Sequence, residues 1–292
     1  MTVSILSDTA CTLGEGPLWH PTRESLFWFD ILSHRLYEHD GKSQRSWQFD
    51  RAVSAAGWVD DKTLLVATER DLIRFDLMTG AEQRLVALEA DNPVTRSNDG
   101  RADPFGGFWI GTMGFHAEPG AGAIYRYHDG ALRKLFDAIT ISNAICFAPD
   151  GRSACFTDTP TRIIHRVALD AEGWPVGTPE PYVDLREAGL NPDGAVIDAA
   201  GQLWVAQWGA SRVACYDRAG AFRDAVEMPA AHISCPAFGG PDYATLFATS
   251  ALQDAPADDT RAGQTFAVPT AHCGQREHRV TLPPEAAVEP VV

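Results

Sequence analysis

Six polar residues occupy one repeated position along the chain, and two of them are carboxylates. Aligning the copies of a repeated segment brings together Glu15, Ser54, Asn98, Asn143, Asp193 and Ser234. Carboxylate and amide oxygens are the ligands that hard divalent cations prefer, and two negative charges balance the charge of such an ion. The amides could equally form hydrogen bonds to a bound molecule. Because the set contains no His or Cys, a structural zinc site is disfavoured.

Each of these residues also has an ordinary structural interpretation. Asp and Asn before a strand commonly form hydrogen bonds to their own backbone. Turn chemistry alone, however, would tolerate Gly, Ser or Thr at this position. The occurrence of both acids and both amides at one point of the repeat therefore favours a binding site.

The elements that must position these residues are short strands that recur about every 40 to 50 residues, a period typical of propeller blades. Six apolar second strands can be aligned, beginning at Leu26, Leu64, Phe108, Ala154, Leu203 and Leu246. A third strand follows each one, and most of these third strands end in Asp. Turns rich in Gly and Asp separate them, and no convincing amphipathic helix is present.

This pattern predicts an all-β chain that forms a six-bladed β-propeller, with four-stranded antiparallel blades around a central channel. We expect a single domain over residues 1–292, with residues 3–6 supplying the outer strand of the last blade. The alternative, two unrelated β-sandwiches, would make the repeat a coincidence. Because the innermost strand of each blade lines the channel, the six polar residues are expected to meet at one of its mouths.

Composition excludes several classes of function. The net charge of -15 and the lack of Lys and Arg clusters argue against nucleic-acid binding. No apolar run is long enough to cross a membrane, and the first residues do not resemble a secretory signal, so we expect a cytoplasmic protein. The six cysteines lack CxxC spacing and are expected to be buried and reduced. Residues 255–259 and 282–285 are predicted to be a surface loop and an exposed tail.

Six tryptophans recur at or near strand positions of the repeat: Trp19, Trp28, Trp58, Trp109, Trp204 and Trp208. Their flat rings could stack on a sugar. Because they recur with the strands, most of them are expected to pack between blades.

A set of motifs in a fixed order resembles a known family. The motifs are Gly14-Glu15-Gly16-Pro17, Arg96-Ser97-Asn98-Asp99-Gly100, Gly111-Thr112-Met113, Ser142-Asn143-Ala144 and Pro192-Asp193-Gly194. They are similar to those of the sugar-lactonase family that contains regucalcin and gluconolactonase. The resemblance implies one divalent metal ion (Ca, Zn, Mn, Mg or Fe(II)) held by Glu15, Asn143 and Asp193. It also implies that Arg96 and Asn98 face the substrate and that the reaction is hydrolysis of aldonolactones.

The sequence departs from the family pattern at two positions. Animal members carry an acid shortly after the Gly-Thr-Met motif, whereas this chain has His116, which we predict as a substrate-binding residue, with an ordinary exposed loop residue as the alternative. The Asn-Gly that often stands at the fourth motif is Asn143-Ala144 here. This is a small change that should leave the side-chain oxygen of Asn143 in place.

These observations predict a metal-dependent hydrolase that acts on a carboxylic ester bond, opening a small sugar lactone such as gluconolactone, arabinonolactone or xylonolactone. Asp193 would be the catalytic residue as well as a metal ligand, and whether it takes a proton itself stays open. Arg96 would donate hydrogen bonds to the sugar, or instead pair with Asp99. The alternatives are a calcium-binding propeller without catalysis, and a metal-dependent esterase or phosphotriesterase. The sequence leaves the oligomeric state open.

Overall fold

The chain forms six antiparallel four-stranded sheets arranged as the blades of a propeller, in a computed structural model that describes residues 2–283. The predicted all-β, six-bladed fold is confirmed. The prediction of a single domain over residues 1–292 stays a prediction, because residues 284–292 lie outside the described part of the chain.

Five blades are built from four consecutive strands, each paired with the next. Blade 1 contains β2 (Gly14–His20), β3 (Ser25–Asp30), β4 (Arg35–His39) and β5 (Gln44–Gln48), and blade 2 contains β6 (Val53–Asp60), β7 (Thr63–Thr68), β8 (Asp71–Asp76) and β9 (Glu82–Ala87). Blade 3 contains β10 (Thr95–Ala102), β11 (Phe108–Gly114), β12 (Gly122–His128) and β13 (Ala131–Ile139). Blade 4 contains β14 (Ser142–Phe147), β15 (Ser153–Asp158), β16 (Ile163–Leu169) and β17 (Pro175–Asp184), and blade 5 contains β18 (Asn191–Ile197), β19 (Leu203–Trp208), β20 (Arg212–Tyr216) and β21 (Phe222–Glu227).

Blade 6 joins the two ends of the chain. It contains β22 (Ile233–Gly239), β23 (Thr245–Ser250), β24 (Thr265–Pro269) and, as its outer strand, β1 (Ser4–Ser7). Ser4 pairs with Ala267 in this closing ladder. The prediction that residues 3–6 close the ring is confirmed, with a shift of one residue.

The core lies between neighbouring blades. Phe27 and Phe29 of blade 1 pack in one cluster with Leu64 and Val66 of blade 2. Because a second strand is covered on both faces, its sequence is a continuous apolar run rather than an alternating one. The outer strand β5 is mostly exposed by comparison. This difference explains why the second strands were the clearest signal in the sequence.

The first strands of consecutive blades are neighbours around the ring, and β22 lies beside β2, so these six strands enclose the channel. Residues 272–283, which we call the C-terminal strap, cross the channel mouth at the far ends of the first strands. Gln275 Nε2 donates to the carbonyls of Phe147 and Ile197 at 2.9 and 2.8 Å, and the backbone N–H of Val280 donates to the Trp58 carbonyl at 2.9 Å. The channel is therefore closed at this end.

The cysteines and two surface segments were also predicted. All six cysteines are free thiols and five are buried, but Cys273 on the strap is exposed, contrary to expectation. Residues 255–259 form a mostly exposed loop, as predicted. Leu282 does not lie in a free tail, because it packs against a core cluster through the strap. Pro284 and Glu285 of that predicted tail lie outside the described residues.

Helix is confined in the described residues to one short 3-10 turn, Thr159–Thr161. No helix between residues 2 and 283 has the length and apolar character needed to cross a membrane.

Candidate active site

A cavity of about 620 Å³ opens at the channel mouth opposite the strap. We call it the site cavity. It lies where the first strands begin, and its wall includes all six of the residues predicted to form the site: Glu15, Arg96, Asn98, His116, Asn143 and Asp193. The structure thus brings together residues from blades 1, 3, 4 and 5.

Only four of the six residues at the repeated polar position reach this cavity. The Ser54 hydroxyl instead donates to Ser97 Oγ of the next blade at 2.8 Å. The Ser234 hydroxyl donates to the Gly14 carbonyl at 2.5 Å, which links blade 6 to blade 1. The expectation that all six converge is corrected for these two serines, whose short side chains join adjacent blades.

An irregularity in the sheet turns the polar residues toward the channel. In every blade, the ladder between the first and second strands shifts register at this position, for example between Glu15 and Leu18 and between Pro192 and Ala195. A β-bulge places one extra residue in the strand and re-aims its side chains. The shift recurs in the other four blades.

The two carboxylates of the site are almost completely buried. Glu15 and Asp193 are 6% and 5% exposed. Burial raises the pKa of Glu15 to about 8, and the negative charge of Asp99 adds to this effect. Burial likewise raises the pKa of Asp193 well above its usual range, with further contributions from the charges of Glu15 and Asp99. Without a cation, this arrangement of acids disfavours their ionised forms.

A hydrogen-bond network fixes the amide of Asn143. Its Nδ2 donates to Thr159 Oγ1 at 3.0 Å, and the Thr159 hydroxyl in turn donates to the Pro192 carbonyl at 2.8 Å. Asn143 Oδ1 accepts from Asn98 Nδ2 at 3.3 Å. The network links three blades and holds an amide oxygen at the cavity wall.

Arg96 lies buried beside these acids. Its Nη1 donates to the Ser97 carbonyl at 2.8 Å and to Asn98 Oδ1 at 2.9 Å. Its Nε is buried and has no partner among the described residues. Burial lowers the pKa of Arg96 to about 10, while the charge of Glu15 opposes this change. Arg96 therefore bonds to Ser97 and Asn98 and not to Asp99, whose Oδ2 accepts from the backbone N–H of Ile145 at 2.7 Å.

His116 lies in an exposed loop at the cavity rim after strand β11. Its backbone N–H donates to Glu118 Oε2 at 3.1 Å. The side chain is therefore available to a molecule in the cavity, and its role as a substrate contact stays a prediction.

Sequence reasoning missed several parts of the cavity wall, including Leu13, Thr159 and Gln253, and it named Trp208 only as one of six tryptophans that could stack on a sugar. Most of these residues come from loops, where no repeat marks a functional position. A signal was available for Thr159 because it directly follows a second strand on the same side of the ring as the polar residues.

The donor set consists of two carboxylates and one amide. Such a set fits a hard divalent cation. Across residues 2–283, no three His, Cys, Asp or Glu side chains are grouped to hold a metal ion by themselves. Two carboxylates with raised pKa values and an oriented amide oxygen do line one cavity. A dication bound by Glu15, Asn143 and Asp193 would offset the repulsion between the acids.

The chain is similar to known proteins over most of its length. Residues 13–252 match the family described as the SMP-30/gluconolactonase/LRE-like region. A putative sugar lactone lactonase of Rhizobium meliloti (strain 1021) is 41% identical over 270 residues, which cover 89% of this chain and 91% of that protein. An L-arabinolactonase of Azospirillum brasilense is 36% identical over 285 residues, which cover 94% of each protein.

A solved structure is similar over nearly the whole chain. The crystal structure of a calcium-binding protein, regucalcin, from Agrobacterium tumefaciens str. C58 has a TM-score of 0.93 and 38% sequence identity. The match covers 95% of this chain and 97% of that chain.

Proposed function

Since this chain belongs to the SMP-30/gluconolactonase/LRE-like family, we propose that it is an enzyme that hydrolyses sugar lactones to aldonic acids with the help of one divalent cation. The observation that carries this proposal is the meeting of Glu15 and Asp193, which are far apart in sequence, as buried carboxylates in one cavity. Gluconolactone, arabinonolactone and xylonolactone are the candidate substrates. The names of the relatives support this substrate class.

Glu15, Asn143 and Asp193 would hold the cation. A divalent cation at this position would polarise the lactone carbonyl, stabilise the charge that develops on its oxygen and lower the pKa of a bound water. The oxygen-only donor set leaves Ca, Mg, Mn, Zn and Fe(II) as candidates.

The chain's own residues have distinct roles in this proposal. Asp193 lines the cavity and is assigned as the group that accepts the proton of the attacking water. Arg96 lines the cavity and donates from its guanidinium group to an oxygen of the sugar. Asn98 holds the Arg96 guanidinium and the Asn143 amide in place, and it lines the cavity beside the substrate.

The test is an assay of acid release from gluconolactone, arabinonolactone and xylonolactone by the purified protein, after metal stripping and after return of each candidate cation. We expect turnover to disappear with the chelator and to return with at least one cation. Turnover that the chelator does not change would refute the role of the metal. A protein that binds cations but hydrolyses none of the lactones would refute the enzymatic function.

One observation favours a second function, namely calcium binding without catalysis. The similar solved structure is described as a calcium-binding protein, and the site has the oxygen ligands that Ca²⁺ prefers. This function predicts a calcium affinity that Asp193→Ala removes, together with no release of acid from any lactone. The assay above therefore separates the two functions.

A further inference from the structure

Trp208 differs from the other five tryptophans of the repeat. Trp28, Trp109 and Trp204 are completely buried, and Trp19 and Trp58 are nearly so. These five confirm the expectation that most of the tryptophans pack in the core. Trp208 is half-buried and forms part of the site cavity wall.

The ring of Trp208 is held in place by its neighbours, which include the core cluster that contains Leu13. It stacks on the His232 ring with a centroid distance of 4.3 Å and an interplanar angle of 16°. His232 is itself 9% exposed, and its Nδ1 donates to the Gln253 carbonyl at 3.0 Å. A ring that is already ordered loses little conformational entropy when a ligand binds to it.

Trp208 lies above Asp193 in the same blade. It pairs with Asn191 across the ladder between β18 and β19, at the rim of the cavity. Asp193 lies two residues further along the strand, which places it roughly 7 Å deeper in an extended chain. This distance is comparable to the length of one monosaccharide. A lactone with its carbonyl beside Asp193 would therefore extend its far carbons toward Trp208.

The indole also offers a free hydrogen-bond donor. Within residues 2–283, Nε1 of Trp208 has no hydrogen-bond acceptor, and the atom is accessible to solvent rather than buried. An indole N–H can only donate. A hydroxyl oxygen of a ligand in the cavity would satisfy it.

Apolar residues and hydrogen-bonding residues both line the cavity. Leu13 and Leu32 of blade 1 share the wall with Trp208. Arg96 and Asn98 of blade 3 add hydrogen-bonding groups to the same wall. A sugar lactone has the matching groups, with a face of C–H groups that can lie on an aromatic ring and hydroxyls along its edge.

We propose that Trp208, supported by His232, is a specificity-determining platform for the hydroxylated carbons of a single sugar lactone. The ring contacts the C–H face of the substrate, and Nε1 donates to a hydroxyl remote from the lactone carbonyl. This inference rests on the proposed lactonase function. It adds that recognition of the sugar is separate from the chemistry at Glu15 and Asp193.

The experiment compares the metal-loaded wild type with Trp208→Ala and Trp208→Phe, using arabinonolactone and the hydroxyl-free butyrolactone. We expect Trp208→Ala to raise KM for arabinonolactone about tenfold, because tenfold is the effect of losing one aromatic stacking contact. Its kcat should change by less than about threefold, because the lost contact stabilises the bound substrate and the transition state equally. KM for butyrolactone should rise by less than about threefold, since this substrate keeps ring C–H groups for the indole but has no hydroxyl to accept from Nε1.

Trp208→Phe keeps a stacking ring but removes the N–H donor, so it should show a smaller rise in KM for arabinonolactone, of about threefold. The matched control is Trp174→Ala. Trp174 is also half-buried, but it stacks over Arg126 at 4.4 Å outside the cavity. This control should lower stability without changing KM.

Several results would overturn the inference: an unchanged KM in Trp208→Ala, an equal rise in KM for both lactones, or a fall in kcat alone. In each of these cases the wild type would still be a lactonase. A wild type that hydrolyses none of gluconolactone, arabinonolactone, xylonolactone and butyrolactone would instead refute the proposed function, and the platform with it.

Discussion

Glu15 and Asp193 are the residues whose burial most needs an explanation. An ionised carboxylate loses favourable hydration when it is buried, and two such groups near each other also repel. Asp99, a third buried acid, lies outside the cavity wall, and burial raises its pKa to about 6. Its negative charge adds to the cost of ionising Glu15 and Asp193. In the proposed function, the cation held by Glu15, Asn143 and Asp193 would offset this cost.

Asp193→Ala tests the catalytic role of this carboxylate. We expect loss of lactone turnover by at least about a hundredfold, because the change removes both a metal ligand and the proposed base. The metal-free variant should remain folded, since it loses a source of repulsion. The comparison is Asp224→Ala, which changes an exposed residue of the same blade, and the measurements are turnover and thermal unfolding. Turnover near that of the wild type in Asp193→Ala would contradict the mechanism.

Glu15→Gln tests the raised pKa in the metal-free protein. The pKa of Glu15 rises from its ordinary value of 4.5 to about 8 in the fold. Its contribution to stability is thus fully present below pH 4.5 and is lost as the pH increases to about 8. Across this window, the free energy of unfolding of the wild type should fall relative to Glu15→Gln by up to roughly 1.4 kcal/mol per pH unit. Urea unfolding with a chelator at several pH values measures this difference, and a difference independent of pH would be evidence against it.

Among the elements of the fold, the first strand of each blade is the unit that builds the site. In blades 1, 3, 4 and 5 the bulge of this strand turns a polar side chain toward the channel, and in blades 1 and 4 the next residue has a positive φ. Gly16 follows Glu15 with a φ of 55°, and Ala144 follows Asn143 with a φ of 56°. The departure from Asn-Gly in the fourth motif therefore places alanine in a left-handed conformation, which favours glycine.

Ala144→Gly should consequently be tolerated much better than the same change elsewhere in the blade. Ala154 on the adjacent strand is an equally buried alanine without a positive φ, so it provides the matched control. Both variants lose one buried methyl group, but only Ala144→Gly relieves the left-handed conformation. We expect Ala154→Gly to be less stable than Ala144→Gly by about 1 kcal/mol. Chemical unfolding measures the comparison, and equal destabilisation would show that the backbone is not strained at Ala144.

Across the molecule as a whole, two contacts between distant parts of the chain complete the propeller. Strand β1 closes the ring against β24, and the C-terminal strap closes the far mouth of the channel. The strap places Glu277 against Arg101 of blade 3 at 2.5 Å, with both side chains about a tenth exposed. Removal of one partner from a buried pair leaves an uncompensated charge, whereas exposed pairs contribute little.

Glu277→Ala is therefore expected to destabilise the protein by about 3 kcal/mol. Asp184→Ala removes one partner of the exposed pair with Arg186, and it should cost less than about 1 kcal/mol. Urea unfolding of both metal-loaded variants measures the comparison. If the two variants were equally stable, the strap would not depend on this ion pair.

Much of the fold could be predicted because each blade repeats the same burial. The second strands are covered on both faces by adjacent blades, so the repeat survives in the sequence as apolar runs such as the one that begins at Leu203. Outer strands such as β21 (Phe222–Glu227) are mostly exposed. The outer strands are not covered on both faces, so they need no apolar run. Their positions could therefore not be read from the sequence.

The site could be predicted in part for the same reason. Its polar residues share one position of the repeat, so residue type and spacing alone indicate Glu15, Asn98, Asn143 and Asp193. The repeat could not distinguish these residues from Ser54 and Ser234, because the path of each side chain depends on the neighbouring blade.

The number of blades, the order of the strands and the oxygen-rich chemistry of the site are all contained in the amino-acid sequence, because these properties follow from local patterns that each blade repeats. Folding adds two features that the sequence does not reveal: Trp208 lies in the cavity while the other repeat tryptophans are buried, and Glu277 is paired with Arg101. Both features depend on contacts between segments far apart in the chain. No local pattern records such contacts, because they join residues that only the folded ring brings together.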